Sequence, residues 1–402
     1  MTAAARKAFE EAVALENAGN LDRALVAYLK AQELSPDDTE IAYRAASALL
    51  QTGYLEEAQS QLRRIVFAEP EHLNARASLG NCQLLLGDIG NARQNFSEVL
   101  SQAPDNRNAL YGLASVLLQE DKPAEAAEPA RRLVDLLPET AAVLTLFAET
   151  QAKTDQKAAA IAAYRKALKS DPNYGPALTG LSQTLLLRKR YDEVIEMCIR
   201  ASERAPADPL PLELLSDALA GKGNFEDARE AAEAALKLNP RAVPVLVRLS
   251  VLSRKLEDHG AALKFALAGH DLDTKAKEPL NALGAALAAL KYSSQARSVL
   301  TGMTTGQGLE PAVRKLVEGL VTSLAGTSRQ KSSKLESGKA EAAPATDTAP
   351  VAETESGPSR DDAVATDETE PTETSTDKPR EFLSTDGEQL PNVLGLRRQD
   401  LS

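Results

Sequence analysis

The chain has 402 residues, 43% of them hydrophobic, yet only 7 Phe, 8 Tyr and no Trp, so a large core must be filled by Ala and Leu, which favours close-packed helices over a β-sandwich. Lys and Arg number 46 against 58 Asp and Glu, a net charge of −12, which excludes the concentrated basic surface that nucleic-acid phosphates require. Two cysteines, Cys82 and Cys198, cannot build a disulfide framework and read as buried free thiols; no apolar run reaches the roughly 18 residues that cross a bilayer; and Glu10, Glu11 and Glu16 stand where a signal peptide needs an apolar stretch. The expectation is a cytoplasmic protein with no membrane insertion.

A fixed period organises the chain from its start. Pro36, Pro70, Pro104, Pro138, Pro172, Pro206 and Pro240 recur every 34 residues without insertion or deletion, and the frame they set defines repeats beginning at Ala5, Thr39, Leu73, Arg107, Ala141, Gly175, Pro209, Val243 and Lys277. The eighth position of each unit is small: Ala12, Ala46, Gly80, Ala114, Ala148, Ser182, Ser216, Ser250 and Gly284. The twentieth is stricter, with Ala in eight units and Val194 in the remaining one. Small residues twelve apart, one on each of two helices, let an antiparallel pair approach closely. Larger groups fill around them, among them Tyr28, Leu62, Phe96 and Tyr164 at position 24. Gly19-Asn20, Gly53-Tyr54, Gly87-Asp88 and Gly223-Asn224 suit a helix C-cap and short turn between the two helices.

Units such as SLGNCQLLLGDIGNARQNFSEVLSQAP, residues 78–104, resemble the tetratricopeptide repeat family. Over residues 5–310 the resemblance implies an all-α, right-handed superhelical solenoid of about nine 34-residue helix-turn-helix repeats. Three features depart from the family pattern. Its tryptophan at position 4 is replaced by Leu110, Leu144, Leu178, Leu212, Leu246 and Leu280, or by Ala8, Ala42 and Arg76; Pro129 falls inside the second helix of repeat four, where it is expected to kink it at a cost of about 3 kcal/mol; and repeats eight and nine carry Thr274 and Gly308 in place of proline. Residues 311–326 then place Val313, Leu316, Val317, Leu320, Val321 and Leu324 on one helical face, as a solenoid's capping helix requires.

From Thr327 the period stops. Residues 340–377 hold eleven acidic residues and one base, Arg360, and residues 327–380 are expected to be a disordered acidic linker that begins with a small basic cluster at Arg329, Lys331, Lys334 and Lys339. The last 22 residues regain Phe382, Leu383, Leu390, Val393, Leu394, Leu396 and Leu401, a pattern that suits a docking motif. Tethering puts the protein's own groove within its reach, and a tail of no consequence is the bland alternative.

The resemblance also implies that positions 2, 5, 9, 12 and 13 of each first helix face a concave groove. On this chain repeats one to four then present Asn17, Tyr43, Ser47, Gln51, Asn74, Asn81, Asn108, Tyr111, Ser115 and Gln119, neutral donors and acceptors that suit an extended peptide backbone. A solvated inner face is the plainer alternative. Repeats five to eight set Glu149, Glu213 and Asp217 against Lys153, Arg254 and Lys255, which calls for a partner of mixed charge. The co-chaperones of the family that grip a carboxylate need Lys at position 5; here that position reads Phe9, Tyr43, Ala77, Tyr111, Thr145, Thr179, Glu213, Val247 and Asn281.

Catalysis finds little material. His72, His259 and His270 sit at expected loops or helix ends, their acidic neighbours Glu71, Asp258 and Asp271 read as solvated turn residues, and no phosphate loop, nucleophile elbow, dinucleotide fingerprint or zinc pattern occurs. The sequence therefore points to a non-enzymatic scaffold or adaptor with no cofactor and no metal, which binds protein or peptide segments in its groove. Two variants stay open: a groove regulated by the chain's own C-terminal segment, and a homo-oligomeric platform.

Overall fold

The computed structural model describes residues 2–306 and 308–324. The acidic segment 327–380 and the C-terminal motif 381–402 lie outside the described residues. Among those described, every regular element is an α-helix. The first helices of the nine repeats are α1 (Ala3–Asn17), α3 (Thr39–Gln51), α5 (Leu73–Leu85), α7 (Arg107–Gln119), α9 (Ala141–Lys153), α11 (Gly175–Leu187), α13 (Leu210–Lys222), α15 (Val243–Lys255) and α17 (Lys277–Ala289). The second helices are α2 (Leu21–Leu34), α4 (Leu55–Ala68), α6 (Ile89–Gln102), α8 (Pro123–Leu136), α10 (Lys157–Ser170), α12 (Tyr191–Arg204), α14 (Phe225–Leu238), α16 (His259–Leu272) and α18 (Ser293–Thr305). A last helix, α19, spans 311–324.

The small residues do what their spacing implies. All nine residues at position 8 and all nine at position 20 are buried, so each helix pair closes on backbone and methyl groups. Two of the three serines at position 8 add a polar stitch: Ser216 Oγ donates to the Ala228 carbonyl at 2.7 Å and Ser250 Oγ to the Ala262 carbonyl at 2.8 Å. Each of these carbonyls belongs to position 20 of the same unit, so the hydroxyl joins the two helices where they are closest.

Every repeat turns its corner at position 15 with φ in the left-handed region. Gly19, Gly53, Gly87 and Gly223 do so with φ of 75 to 94°, and Asp121, Asp155, Lys189, Glu257 and Lys291 with φ of 56 to 68°. The corner thus has one geometry whether or not glycine supplies it, and the five side-chain-bearing residues adopt it against their intrinsic preference. Between units, helices end two residues before each proline, which fixes the exit backbone and prevents continuation. Asp38, His72 and Asn106 then cap α3, α5 and α7 by accepting from the N–H of Ile41, Ala75 and Ala109.

Three local expectations change. Helix α8 runs unbroken through Pro129 with the same 14 residues as α6 and α10; packing of the buried Pro129, Ala130 and Leu133 keeps the helix whole where the lost N–H weakens it. Repeat eight is as regular as those before it, because Asp273 accepts from the N–H of Lys275 and Ala276 at 2.9 and 3.1 Å, an Asx turn that stands in for the missing proline, whereas the second helix of repeat nine is shorter, 13 residues ending at Gly306 in the left-handed region. His270 lies in the last turn of α16, at the helix end as expected, but is buried there, and Asp271 beside it is no turn residue: it receives both terminal nitrogens of Arg314 on α19, at 2.8 and 3.0 Å. That pair, with buried Val313 and Val317, seats α19 on the apolar cluster of the last repeats.

Curvature follows from the contacts. First helices pack on one another, α3 on α5, α5 on α7, α7 on α9, α9 on α11, α11 on α13 and α15 on α17, whereas no two successive second helices pack to a comparable extent. Elements that touch lie on the inner side of a bend. The first helices therefore line the concave face, and the second helices, spread apart, form the convex one.

Candidate partner-binding face

Position 8 of each first helix faces its paired helix, so position 9 lies about 100° round the helix from it, and positions 5 and 9 share one face. Read along the solenoid, position 9 carries Ser47, Asn81, Ser115, Glu149, Gln183 and Asp217, six polar groups in six successive repeats. This row continues beyond the four repeats from which the sequence suggested contacts. Its signal was present as a 34-residue period, but it joins a neutral stretch to an acidic one and so does not look like one surface when residue types are read unit by unit.

The ten expected contact residues are not equivalent. Asn17 and Gln119, the last residues of α1 and α7, are exposed. Ser47, Gln51, Asn74, Asn108 and Ser115 are half-buried, and the Ser115 hydroxyl is committed to the Tyr111 carbonyl at 2.9 Å. Tyr43 stacks obliquely on His72, ring centroids 4.9 Å apart, which ties repeat two to the start of repeat three. Asn81 is 1% exposed and neither amide atom has a hydrogen-bond partner. An unpaired buried amide costs roughly 1–3 kcal/mol, and at 1% exposure Asn81 lies beneath the polar row and not on its surface.

Tyr111 is not a free surface donor. It is 6% exposed, and burial, with smaller contributions from Tyr174 and Glu149, pushes its hydroxyl well above the ordinary tyrosine range. Glu149 is the centre of this region: it acts on Tyr111, on Tyr164 and on Tyr174, whose pKa rises to about 12, mainly through burial. Burial also raises the Glu149 carboxyl above its usual value, against the pull of Lys153. Lys153 itself turns away, its Nζ donating to the Leu118 carbonyl at 2.9 Å at the end of α7.

Further along, the acids meet a cation that sequence inspection did not select. Arg248 on α15 places Nε 2.6 Å from Asp217 Oδ1 and Nη2 2.8 Å from Oδ2, with Glu213 Oε2 3.9 Å from Nη1. Lys255, one of the cations expected opposite these acids, is elsewhere: its Nζ lies 5.9 Å above the Phe225 ring. Burial still lifts the Glu213 and Asp217 carboxyls despite Arg248. The face thus runs from neutral amides through a tyrosine-flanked carboxyl to an internally compensated ion cluster.

Neither cysteine offers a nucleophile. Both are buried; the Cys82 thiol donates to the Leu55 carbonyl at 3.0 Å, and burial raises the two thiols to about 11 and about 12, so they stay protonated at neutral pH. Among the described residues no three His, Cys, Asp or Glu side chains gather as a metal-binding set, and no helix is long and apolar enough to cross a membrane.

Known proteins bear on this architecture in three ways. Models of the tetratricopeptide repeat match residues 15–82 and 152–218, and residues 86–140 and 214–274. A TPR repeat-containing thioredoxin of Arabidopsis thaliana is 36% identical over 87 residues, 22% of this chain and 13% of that protein; this chain thus matches only about an eighth of the relative's length. Among solved structures, a tetratricopeptide repeat protein from Parabacteroides merdae aligns over 62% of this chain and 99% of its own, with a TM-score of 0.50 at 11% identity. MamA from Desulfovibrio magneticus aligns over 42% of this chain and 96% of its own, with a TM-score of 0.35 at 22% identity.

Proposed function

Since the chain belongs to the tetratricopeptide repeat family, whose repeats mediate protein–protein interaction, we propose that it is a non-enzymatic scaffold that holds an extended partner segment along the concave face. The observation that carries this reading is the position-9 row on the packed first helices, polar in six successive repeats, in which Glu149 is held partly desolvated. Amides satisfy a peptide's N–H and C=O together, and a desolvated carboxylate gains most from a cation brought by the ligand. The segment accordingly lies with plain backbone over repeats two to four and presents a Lys or Arg side chain at repeat five. Asn74, Asn108, Gln51 and Gln119 flank that path as secondary contacts.

A photo-reactive residue placed in the intact protein, in its own cell, at Asn74 or Gln119 on first helices should give the dominant partner adducts. The same residue at Arg63 on α4 or Lys166 on α10, both exposed on second helices, should give few. Equal adduct yields from both faces would reject the concave assignment.

A further inference from the structure

On the convex side the second helices stand apart, and between α10 and α12 the gap opens into a groove of about 440 Å³. Its floor is apolar: Leu178, Leu181 and Leu185 of α11, with Met197 of α12. Its rim is basic. Of four cations there, Arg165 and Arg200 are paired with Glu193 and Glu196 at 2.6 and 2.8 Å. Lys169 has no carboxylate partner among the described residues, and Arg204 reaches only the Pro172 carbonyl, at 3.3 Å. An apolar floor beneath two cations that have no counter-ion asks for a short segment with adjacent large apolar residues and flanking acids.

The chain carries such a segment. Residues 381–388, Glu-Phe-Leu-Ser-Thr-Asp-Gly-Glu, hold Phe382 and Leu383 side by side, with acids at 381, 386 and 388, which outnumber the bases Lys378 and Arg380 just before them. We propose that residues 381–388 dock in the α10–α12 groove of their own chain, Phe382 and Leu383 on the leucine floor and the acids opposite Lys169 and Arg204. The more distal apolar stretch around Leu394 fits worse, because its two bases, Arg397 and Arg398, outnumber its one acid, Asp400, and would meet the same basic rim. Length permits the contact. Seven helix steps of about 8–10 Å separate α12 from α19, at most roughly 70 Å, whereas the 56 residues from 325 to 380 can extend to about 185 Å. A tether of this kind holds its end at an effective concentration of the order of millimolar, so a weak site is filled. Docked here, the tail leaves the concave face open to a partner.

The test uses the full chain with a benzophenone side chain in place of Phe382, irradiated as the monomer across a hundredfold dilution, with adducts mapped by peptide mass spectrometry. Adducts within residues 165–204, at a yield that dilution does not change, are expected. Lys169→Glu with Arg204→Glu should cut the yield by about fivefold or more, since attraction becomes repulsion at two exposed sites. Glu381→Lys with Asp386→Lys and Glu388→Lys should do the same, and the two sets combined should restore it. The tail set lies outside the solenoid, so its loss of adduct does not depend on the fold. Adducts on first helices, yields that fall on dilution, absence of adducts, or failure of the charge swap to restore them would each overturn the proposal.

Discussion

The Phe96 ring fills the space that Gly112 leaves by having no side chain: a Cβ on Gly112 would lie 2.1 Å from the ring's Cζ. Gly80, on the paired helix, meets the same ring from the other side, with a Cβ-to-ring distance of 2.7 Å. The relation recurs two repeats on, where Tyr164 fills the place opposite Gly180. It inverts where position 24 is small, since Ala130 and Cys198 are followed sixteen residues later by Leu146 and Leu214. From repeat three to repeat six, volume is thus shared between position 24 of one repeat and position 6 of the next. Gly112→Ala is expected to destabilise by about 1–3 kcal/mol by overpacking, and Phe96→Ala by about 3–5 kcal/mol by leaving a cavity. In the cycle of the parent, Phe96→Ala, Gly112→Leu and the double variant, which copies the Ala130–Leu146 pair, the double should be more stable than the sum of the two single losses predicts. Urea unfolding of the four proteins checks this, and additive losses would show that the two positions do not share a volume.

The left-handed corners allow a test in the stabilising direction. Lys189→Gly and Glu257→Gly relieve a strained φ, and each should raise the unfolding free energy by up to about 1 kcal/mol after the greater freedom of glycine in the unfolded chain is deducted. Gly53→Ala should lower it by a similar amount for conformational reasons alone, because a Cβ there meets nothing within 4 Å. Thermal melts of the three variants against the parent protein decide both signs.

Glu149 should make stability fall as pH rises. Its carboxyl pKa is raised on folding, chiefly by burial, so between the ordinary Glu value and the raised one the folded state holds more protons than the unfolded state, and each pH increment in that window costs stability. Below the window Glu149→Gln should resemble the parent protein; above it the variant should be the more stable of the two. Glu213 and Asp217 shift in the same direction and remain in both proteins, so the difference between the two pH profiles isolates Glu149. A difference that does not change with pH would contradict the assignment.

The last helix depends on one bidentate pair. Asp271→Ala removes the carboxylate that receives Arg314 and should loosen α19 locally, by up to about 1 kcal/mol given the exposure of the pair. Amide exchange across 311–324 should accelerate severalfold while α3 to α12 stay unchanged. Salt should reduce the difference, because it screens the parent pair and leaves the variant unaffected.

Sequence by itself determined the architecture. A period of 34 residues held without slippage for seven prolines, and small residues at positions 8 and 20, leave only a stack of closely paired helices as a consistent arrangement, since local spacing and small volume act within one unit. Several features needed the tertiary structure, because each depends on a neighbour that the period does not name. Phe96 and Gly112 belong to different repeats. Arg248 reaches back 31 residues to Asp217, and Asp271 waits for Arg314 43 residues ahead. Which helices are inner was settled by contacts between alternate helices, and which of the ten candidate side chains lie at the surface was settled by burial. Tyr111, a surface donor by its position in the repeat, is buried, and Asn81 is buried with its amide unpaired. One residue type at one register position is recognisable from sequence; the partner already facing it is a property of the folded stack.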